Sequence, residues 1–94
     1  MIVSFRDRET ERLWSGEVSR RLPPWIHSAA VRKLRWLNQA VSLSELAVPR
    51  GNRLEALTGK RLGQFSIRVN DQWRICFRWG DRGPEDVEIV DYHS

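Results

Sequence analysis

Two neighbouring segments of alternating polar and apolar residues constrain the fold of this chain more than any other feature. Residues 64–69 read QFSIRV, and residues 73–79 read WRICFRW. Strict alternation predicts strands with one buried face, because successive side chains of a strand point to opposite sides of the sheet. Residues 70–72, which read NDQ, suit a turn between them. The sequence therefore predicts an antiparallel hairpin.

The register of this hairpin follows from matching its apolar faces, since a slip of one residue turns every side chain over. Pairing Val69 with Trp73 aligns the apolar residues of the two strands and sets Arg68 directly opposite Arg74. We therefore expect a three-residue connection, or a slightly longer one with the same register. The two arginines should lie side by side on the face that points away from the core.

The residues before the hairpin predict a short strand and two helices. Ile2–Phe5 reads as a first strand, and Asp7 can cap a helix that ends before Gly16. Prolines 23 and 24 suit the first turn of a second helix. Apolar residues at spacings of three and four give that helix one buried stripe: Ile26, Ala30, Leu34, Leu37 and Val41.

The rest of the pattern completes an α+β fold. One more helical turn is expected over residues 43–46, a short strand over 54–57, and a last strand over Asp86–Tyr92. Pairing Trp79 with Val87 would place Tyr92 opposite Arg74. This order predicts one domain over residues 1–94, in which the first strand and two helices pack on one face of a mainly antiparallel sheet.

Basic charge is concentrated in the second half of the chain. The net charge is only +4, but residues 50–82 contain far more basic than acidic side chains. Arginine suits bidentate phosphate recognition, so a polyanionic partner is indicated, although a solvated arginine-rich surface explains the cluster equally well. The basic residues of this segment are Arg50, Arg53, Lys60, Arg61, Arg68, Arg74, Arg78 and Arg82.

The Arg68–Arg74 pair is the main candidate for a functional site. Like charges directly opposite each other destabilise a sheet, so such a pair suits a place where an anion binds between them. Both side chains can instead splay into solvent, or be neutralised by Glu88 and Asp91. Lys60 and Arg61 can add positive charge. Asn52 and Asn70 lie in predicted loops, where they can bind substrate or simply shape their turns.

The segment Asp91-Tyr92-His93 offers groups for proton transfer. Histidine titrates near neutral pH, tyrosine can donate a proton, and a carboxylate can orient either group. With arginines to stabilise a pentacovalent phosphate, these groups provide what RNA cleavage without a metal requires. The sequence has no cluster with metal-ligand spacing, so neither a metal nor another cofactor is expected.

Cysteine content and hydropathy favour a cytoplasmic protein. The single cysteine, Cys76, excludes an internal disulfide, which small secreted domains usually have. No run approaches the roughly 20 apolar residues of a membrane span, and no signal peptide is recognisable. We therefore expect a cytoplasmic protein without a membrane partner.

Longer strings of this chain closely resemble the HigB-type host-inhibition toxins of the RelE/ParE superfamily. The resemblance covers essentially the whole chain in order, and its middle and final strings are specific. They are residues 32–34 (RKL) with Ala40, 52–57 (NRLEAL), 63–77 (GQFSIRVNDQWRICF) and 87–93 (VEIVDYH).

The resemblance implies a RelE-like fold and a type II toxin that cleaves mRNA on translating ribosomes. It also implies a HigA-type helix-turn-helix antitoxin as partner. The acting residues would lie among Arg68, Arg74, Asp91, Tyr92 and His93, with Asn70 assisting. RelE proper relies on several lysines, whereas this chain has only Lys33 and Lys60, which gives His93 more weight.

Two alternatives stay open at this point. ParE-like relatives share the fold but poison DNA gyrase and cleave no RNA. A non-catalytic RNA-binding protein or decayed toxin would act only as the partner of its antitoxin. Both alternatives predict that His93→Gln leaves cellular toxicity unchanged, whereas a nuclease should lose most of it.

Overall fold

Two helices precede a four-stranded antiparallel sheet in the computed structural model, which describes residues 1–92. The strands lie in the sheet in the order in which they occur in the chain. This is the predicted α+β arrangement. The elements are α1 (Arg8–Trp14), α2 (His27–Gln39), β1 (Glu55–Ala56), β2 (Phe65–Arg68), β3 (Trp73–Gly80) and β4 (Gly83–Asp91), with short 3-10 turns at Pro24–Ile26, Leu43–Ala47, Arg50–Asn52 and Gly59–Arg61.

The first helix begins and ends where the sequence predicts. The Asp7 side chain caps α1 by accepting a hydrogen bond from the backbone N–H of Thr10 at 3.1 Å. Gly16 follows the helix with a φ of 87°, a left-handed conformation that glycine adopts without steric cost. Capping and termination are thus both local properties of this segment.

The second helix ends earlier than its apolar pattern suggests. Its predicted stripe is buried except for Val41, which is 85% exposed, so the prediction for that residue is wrong. The helix ends at Gln39 because Ala40 is extended and Ser42 starts a new 3-10 turn, in which Glu45 accepts from the Ser42 backbone N–H at 3.0 Å. Val41 therefore lies between two helical segments rather than on the buried face.

The hydrophobic core lies between the two helices and one face of the sheet. α1 packs against β4, and α2 packs against β3 and β4. The buried sheet residues are Ile67, Val69, Ile75, Phe77, Val87 and Ile89. Since each large buried side chain contributes about 1.5–3 kcal/mol, this one layer of contacts accounts for most of the stabilisation available to so small a domain.

The predicted hairpin is confirmed with its predicted register. Arg68 pairs with Arg74 and Ile67 with Ile75 across an antiparallel ladder. The backbone N–H of Val69 donates to the carbonyl of Trp73 at 2.9 Å, which closes the connection. β1 is shorter than the four residues expected.

The predicted first strand is wrong in its detail. Residues 2–5 run parallel to β4 but form only one isolated bridge, between Phe5 and Val87. The N–H of Val3 donates to the Pro84 carbonyl at 2.8 Å, and the N–H of Asp86 is taken by the Ser4 hydroxyl at 3.0 Å. A regular ladder does not form because Asp86 has a φ of 52°, which interrupts the extended backbone of β4.

The predicted register of the last strand is also wrong. Trp79 pairs with Pro84 instead of Val87, because β3 and β4 are joined by a tight turn at residues 81–82. An irregularity opposite Phe77 then shifts the register by one residue. As a result, Arg74 pairs with Val90, and Tyr92 follows just beyond the strand.

Candidate functional site

Arg74 is a buried cation at the centre of the sheet face that points away from the helices. The residue is 8% exposed. Its Nε donates to the Ser66 hydroxyl at 2.8 Å, and its Nη2 donates to the Arg53 backbone carbonyl at 2.5 Å. The nearest carboxylate is that of Glu55, with 4.0 Å between Oε2 and Nη2. Neutral oxygen acceptors therefore hold the orientation of this guanidinium, and its charge is only weakly compensated.

The backbone around Arg53 explains how a carbonyl reaches Arg74. Arg53 has a φ of 45°, a left-handed conformation that is uncommon outside glycine. It follows the 3-10 turn Arg50–Asn52, in which its own N–H donates to the Arg50 carbonyl at 3.1 Å. The turn thus directs the Arg53 carbonyl at the side chain of Arg74. In a regular strand the same carbonyl would point toward the backbone of a neighbouring strand.

Arg68 lies beside Arg74 but is held differently. Its side chain is about one-third exposed and forms an ion pair with Asp71, an exposed residue of the following turn. That turn is shaped by Asn70, whose side-chain oxygen accepts from the N–H of Gln72 at 2.9 Å and of Trp73 at 2.8 Å. Arg68 is thus paired with an exposed carboxylate, whereas neutral oxygen acceptors hold Arg74.

Tyr92 covers the guanidinium of Arg74. The Arg74 Cζ lies 5.7 Å from the centre of the Tyr92 ring, within the range of a cation–π interaction. Burial, and then the neighbouring Cys76, raise the pKa of the Tyr92 phenol. The phenol thus stays protonated at neutral pH and can donate a hydrogen bond, while 42% of the residue is exposed to a ligand.

An open pocket of about 350 Å³ joins these groups. Three arginines and one tyrosine line it beside two carboxylates and an amide. A pocket of this size and charge can accept a phosphate with the sugar or base attached to it. Its lining residues are Arg53, Glu55, Arg68, Asn70, Asp71, Arg74 and Tyr92.

The structure brings together four of the residues predicted for the site: Arg68, Arg74, Asn70 and Tyr92. Asp91 lies at the end of β4 opposite Trp73, and its side chain accepts from Nε2 of Gln72 at 2.9 Å. His93 lies outside the described residues.

The other predicted substrate-binding residues lie away from this pocket. Lys60 is exposed on the 3-10 turn Gly59–Arg61. Arg61 donates to Glu88 at 2.7 Å, a hydrogen bond that raises the pKa of its guanidinium. Asn52 is fully buried, and its Nδ2 donates to the Leu46 carbonyl at 3.2 Å. Glu88 is thus engaged by Arg61 and does not neutralise the Arg68–Arg74 pair.

Sequence reasoning missed several residues that shape the pocket. Ser66 had a detectable signal, because the hairpin register places it on the same face as Arg74. Asp71 follows Arg68 by three residues, close enough to pair across a turn. Arg53 acts through its backbone, and no side-chain pattern could have revealed that role.

Residues 1–92 contain neither a cluster of metal ligands nor a helix that could span a membrane. No group of three or more His, Cys, Asp or Glu side chains in residues 1–92 is placed to hold a metal ion. No helix within the same residues is long and apolar enough to cross a membrane.

Comparison with known proteins adds independent information. A family model described as RelE-like toxin of type II toxin–antitoxin system HigB matches residues 3–93. Toxin HigB-1 of Vibrio cholerae serotype O1 is 42% identical over 82 residues, which cover 86% of this chain and 86% of the relative. An uncharacterized protein of Haemophilus influenzae is 30% identical over 91 residues, covering 96% of this chain and 89% of the relative.

Proposed function

The chain belongs to the HigB family of RelE-like toxins of type II toxin–antitoxin systems, and on that basis we propose that it is a ribosome-dependent endoribonuclease that cleaves mRNA during translation. The observation that carries this proposal is the placement of Arg74. A cation that is buried and held by fixed acceptors beside a second arginine is suited to stabilising charge that develops on a phosphate.

The proposed reaction is attack of a ribose 2′-hydroxyl on the adjacent phosphorus, which breaks the bond to the 5′-oxygen of the next nucleotide. Negative charge accumulates on the non-bridging oxygens as the pentacovalent phosphate forms. Arg74 would face this charge from a fixed position, and Arg68 would join it by releasing Asp71. Both arginines are proposed as catalytic residues, and the chain supplies these cations without a metal.

Proton transfer is assigned to the end of β4 and the residues after it. Tyr92 would donate to the phosphate or to the leaving oxygen, since its phenol remains protonated and lies over Arg74. His93 is proposed to accept the proton of the 2′-hydroxyl as that oxygen bonds to phosphorus, while the leaving 5′-oxygen gains a proton from Tyr92 and Asp91 orients one of these groups. Of the predicted substrate-binding residues, only Asn70 lies in the pocket. Lys60 and Arg61 would contact RNA that extends beyond it, and Asn52 is fully buried and would act only through its neighbours.

Membership of a type II toxin family implies an antitoxin partner. We propose a HigA-type helix-turn-helix protein for this partner, and the mRNA–ribosome complex in the cytoplasm as the target. An RNA held on a ribosome would arrive already positioned, which supplies much of the orientation that a pocket open on one side does not.

The test is to map mRNA ends after adding the purified protein to a translating extract, with naked mRNA alongside. We expect cleavage of translated message only, with 5′-hydroxyl ends, because 2′-hydroxyl attack leaves the phosphate on the upstream fragment. Arg74→Lys should lose most of the activity, because a point charge cannot replace the fork that Ser66 and Arg53 hold. Arg82→Lys, in the exposed turn between β3 and β4, is the matched control.

Each other outcome has a defined meaning. Equal cleavage of naked mRNA would refute the dependence on ribosomes, and 5′-phosphate ends would refute attack by the 2′-hydroxyl. Intact message together with gyrase-linked DNA breaks would favour the ParE-like alternative.

A further inference from the structure

A partly buried polar connection links α2 to the turn whose last carbonyl holds Arg74. Lys33 of α2 donates from Nζ to the side-chain oxygen of Asn52 at 2.5 Å. Asn52 is fully buried and donates in turn to the Leu46 carbonyl at 3.2 Å. Both ends of the amide are therefore used, and the connection fixes where the 3-10 turn lies relative to the helix.

This turn leads directly to the acceptor of Arg74. The residue after Asn52 is Arg53, whose left-handed backbone points its carbonyl at Nη2 of Arg74, 2.5 Å away. A small rotation of the peptide between Asn52 and Arg53 would move that carbonyl. Lys33 is thus connected to the guanidinium of Arg74 through the side chain of Asn52 and the backbone carbonyl of Arg53.

Lys33 makes this contact under unfavourable conditions. Burial, and then repulsion from Arg32 and Arg68, lower the pKa of its ammonium group. A lysine that served only solubility would extend into water. Its inward position is explained if the hydrogen bond to Asn52 has a function.

We propose that Lys33 and Asn52 are positioning residues for the catalytic guanidinium of Arg74, acting through the backbone carbonyl of Arg53. For activity this inference rests on the function proposed above, but the placement of Arg74 can be measured without it. Neither residue touches the substrate in this proposal.

The first test observes Arg74 directly. In protein labelled with ¹⁵N-arginine, exchange of the Arg74 Nε–H with water reports how firmly its side chain is held. Lys33→Met removes the donor but keeps an unbranched side chain, and it should accelerate this exchange about ten-fold, the effect of losing about one hydrogen bond. Arg35→Met, on the exposed face of the same helix, should leave the exchange unchanged.

A second test separates positioning from direct electrostatics through cleavage kinetics. Lys33→Met should lower kcat about ten-fold with little change in KM, and Lys33→Arg should restore part of the loss. In an Arg74→Lys background, Lys33→Met should not lower kcat further, because the guanidinium that the Arg53 carbonyl positions is already absent. Additive losses would overturn the proposal, since they would mean that Lys33 acts on RNA by itself.

The two tests also distinguish the failure of this inference from failure of the proposed function. Unchanged Arg74 exchange in both Lys33→Met and Asn52→Leu, which removes the acceptor of Lys33 and the donor to Leu46, would refute the positioning role, whatever the activity. Faster exchange in a protein that cleaves no translated mRNA would uphold the positioning role and refute the nuclease. Circular dichroism melting of each variant verifies that it is folded.

Discussion

Keeping the charge of Arg74 while removing its acceptor should destabilise this protein more than removing the charge itself. Ser66→Ala deletes the hydroxyl that lies 2.8 Å from Nε and leaves a buried cationic donor without that partner. A hydrogen bond to a charged group contributes about 1.5–3 kcal/mol, and no water replaces the hydroxyl at a buried donor, so this contribution is lost in full. We expect a loss of about 2 kcal/mol in the free energy of unfolding.

Arg74→Met provides the contrast. It vacates the same hydrogen bonds, but it also removes a buried charge whose nearest carboxylate is 4.0 Å away, together with the repulsion from Arg68 across the strands. Relief of a poorly paired buried charge offsets the lost hydrogen bonds, so the net change should lie within about 1 kcal/mol. Cleavage should nevertheless be lost.

Thermal melting at low protein concentration measures both variants against Ser28→Ala, which changes an exposed serine of α2. For a domain of this size, 2 kcal/mol corresponds to a melting temperature lower by about 10 °C. Ser66→Ala should show this decrease, and Arg74→Met should show less than half of it. The reverse order would refute the view that Arg74 is a weakly paired buried cation whose presence serves function rather than stability.

Other predictions follow from the charges and burial of the site. Arg68→Ala and Arg74→Ala should each reduce cleavage in the translating extract about ten-fold or more, while Arg82→Ala should leave it nearly unchanged; equal losses would mean that basic charge acts diffusely. His93→Gln should abolish both cleavage and toxicity, and toxicity that survives would contradict the proposed chemistry. Binding to ribosome–mRNA complexes, measured by filter retention, should weaken steeply between about 50 and 200 mM salt because phosphate contacts release counterions, and a flat profile would refute phosphate recognition. Burial raises the pKa of the Cys76 thiol above its ordinary value of 9.0, so the stability that the protonated thiol contributes is complete below that value and is lost as the pH rises further. Urea unfolding at about pH 7 and pH 9.5 should therefore show a smaller loss in Cys76→Ala than in the unaltered protein, and equal losses would refute the assignment.

The part of the site that lies within one hairpin could be predicted from the sequence. Alternation and the matching of apolar faces suffice to pair Arg68 with Arg74, because a slip of one residue would turn one strand over and place its arginine among the apolar residues of the other strand. The helix cap at Asp7 is likewise a local matter. These features depend on interactions between residues that are close in the sequence.

The parts that escaped prediction depend on backbone conformation. The positive φ of Asp86 and the tight turn before it shift the register of β4, so the predicted pairing of Tyr92 with Arg74 fails although the two side chains meet. Arg53 contributes its carbonyl, which carries no signature of residue type. Asn52 reads as a loop residue in the sequence, and only the packing of α2 buries it.

The attachment of the first residues to the last strand has a consequence during synthesis. Ser4 bonds to Asp86, 82 positions further along the chain, and Tyr92 lies just beyond the same strand. Because a ribosome makes the chain from residue 1 onward, the contacts of residues 3–6 with β4 cannot form until residues 83–91 have been synthesised, although Ile2 can bond to Asn38 of α2 earlier. Unfinished chains therefore lack both the closing contact of the fold and the aromatic wall of the pocket. Under the function proposed above, a chain still being synthesised would thus lack part of the site needed to cut the mRNA that encodes it.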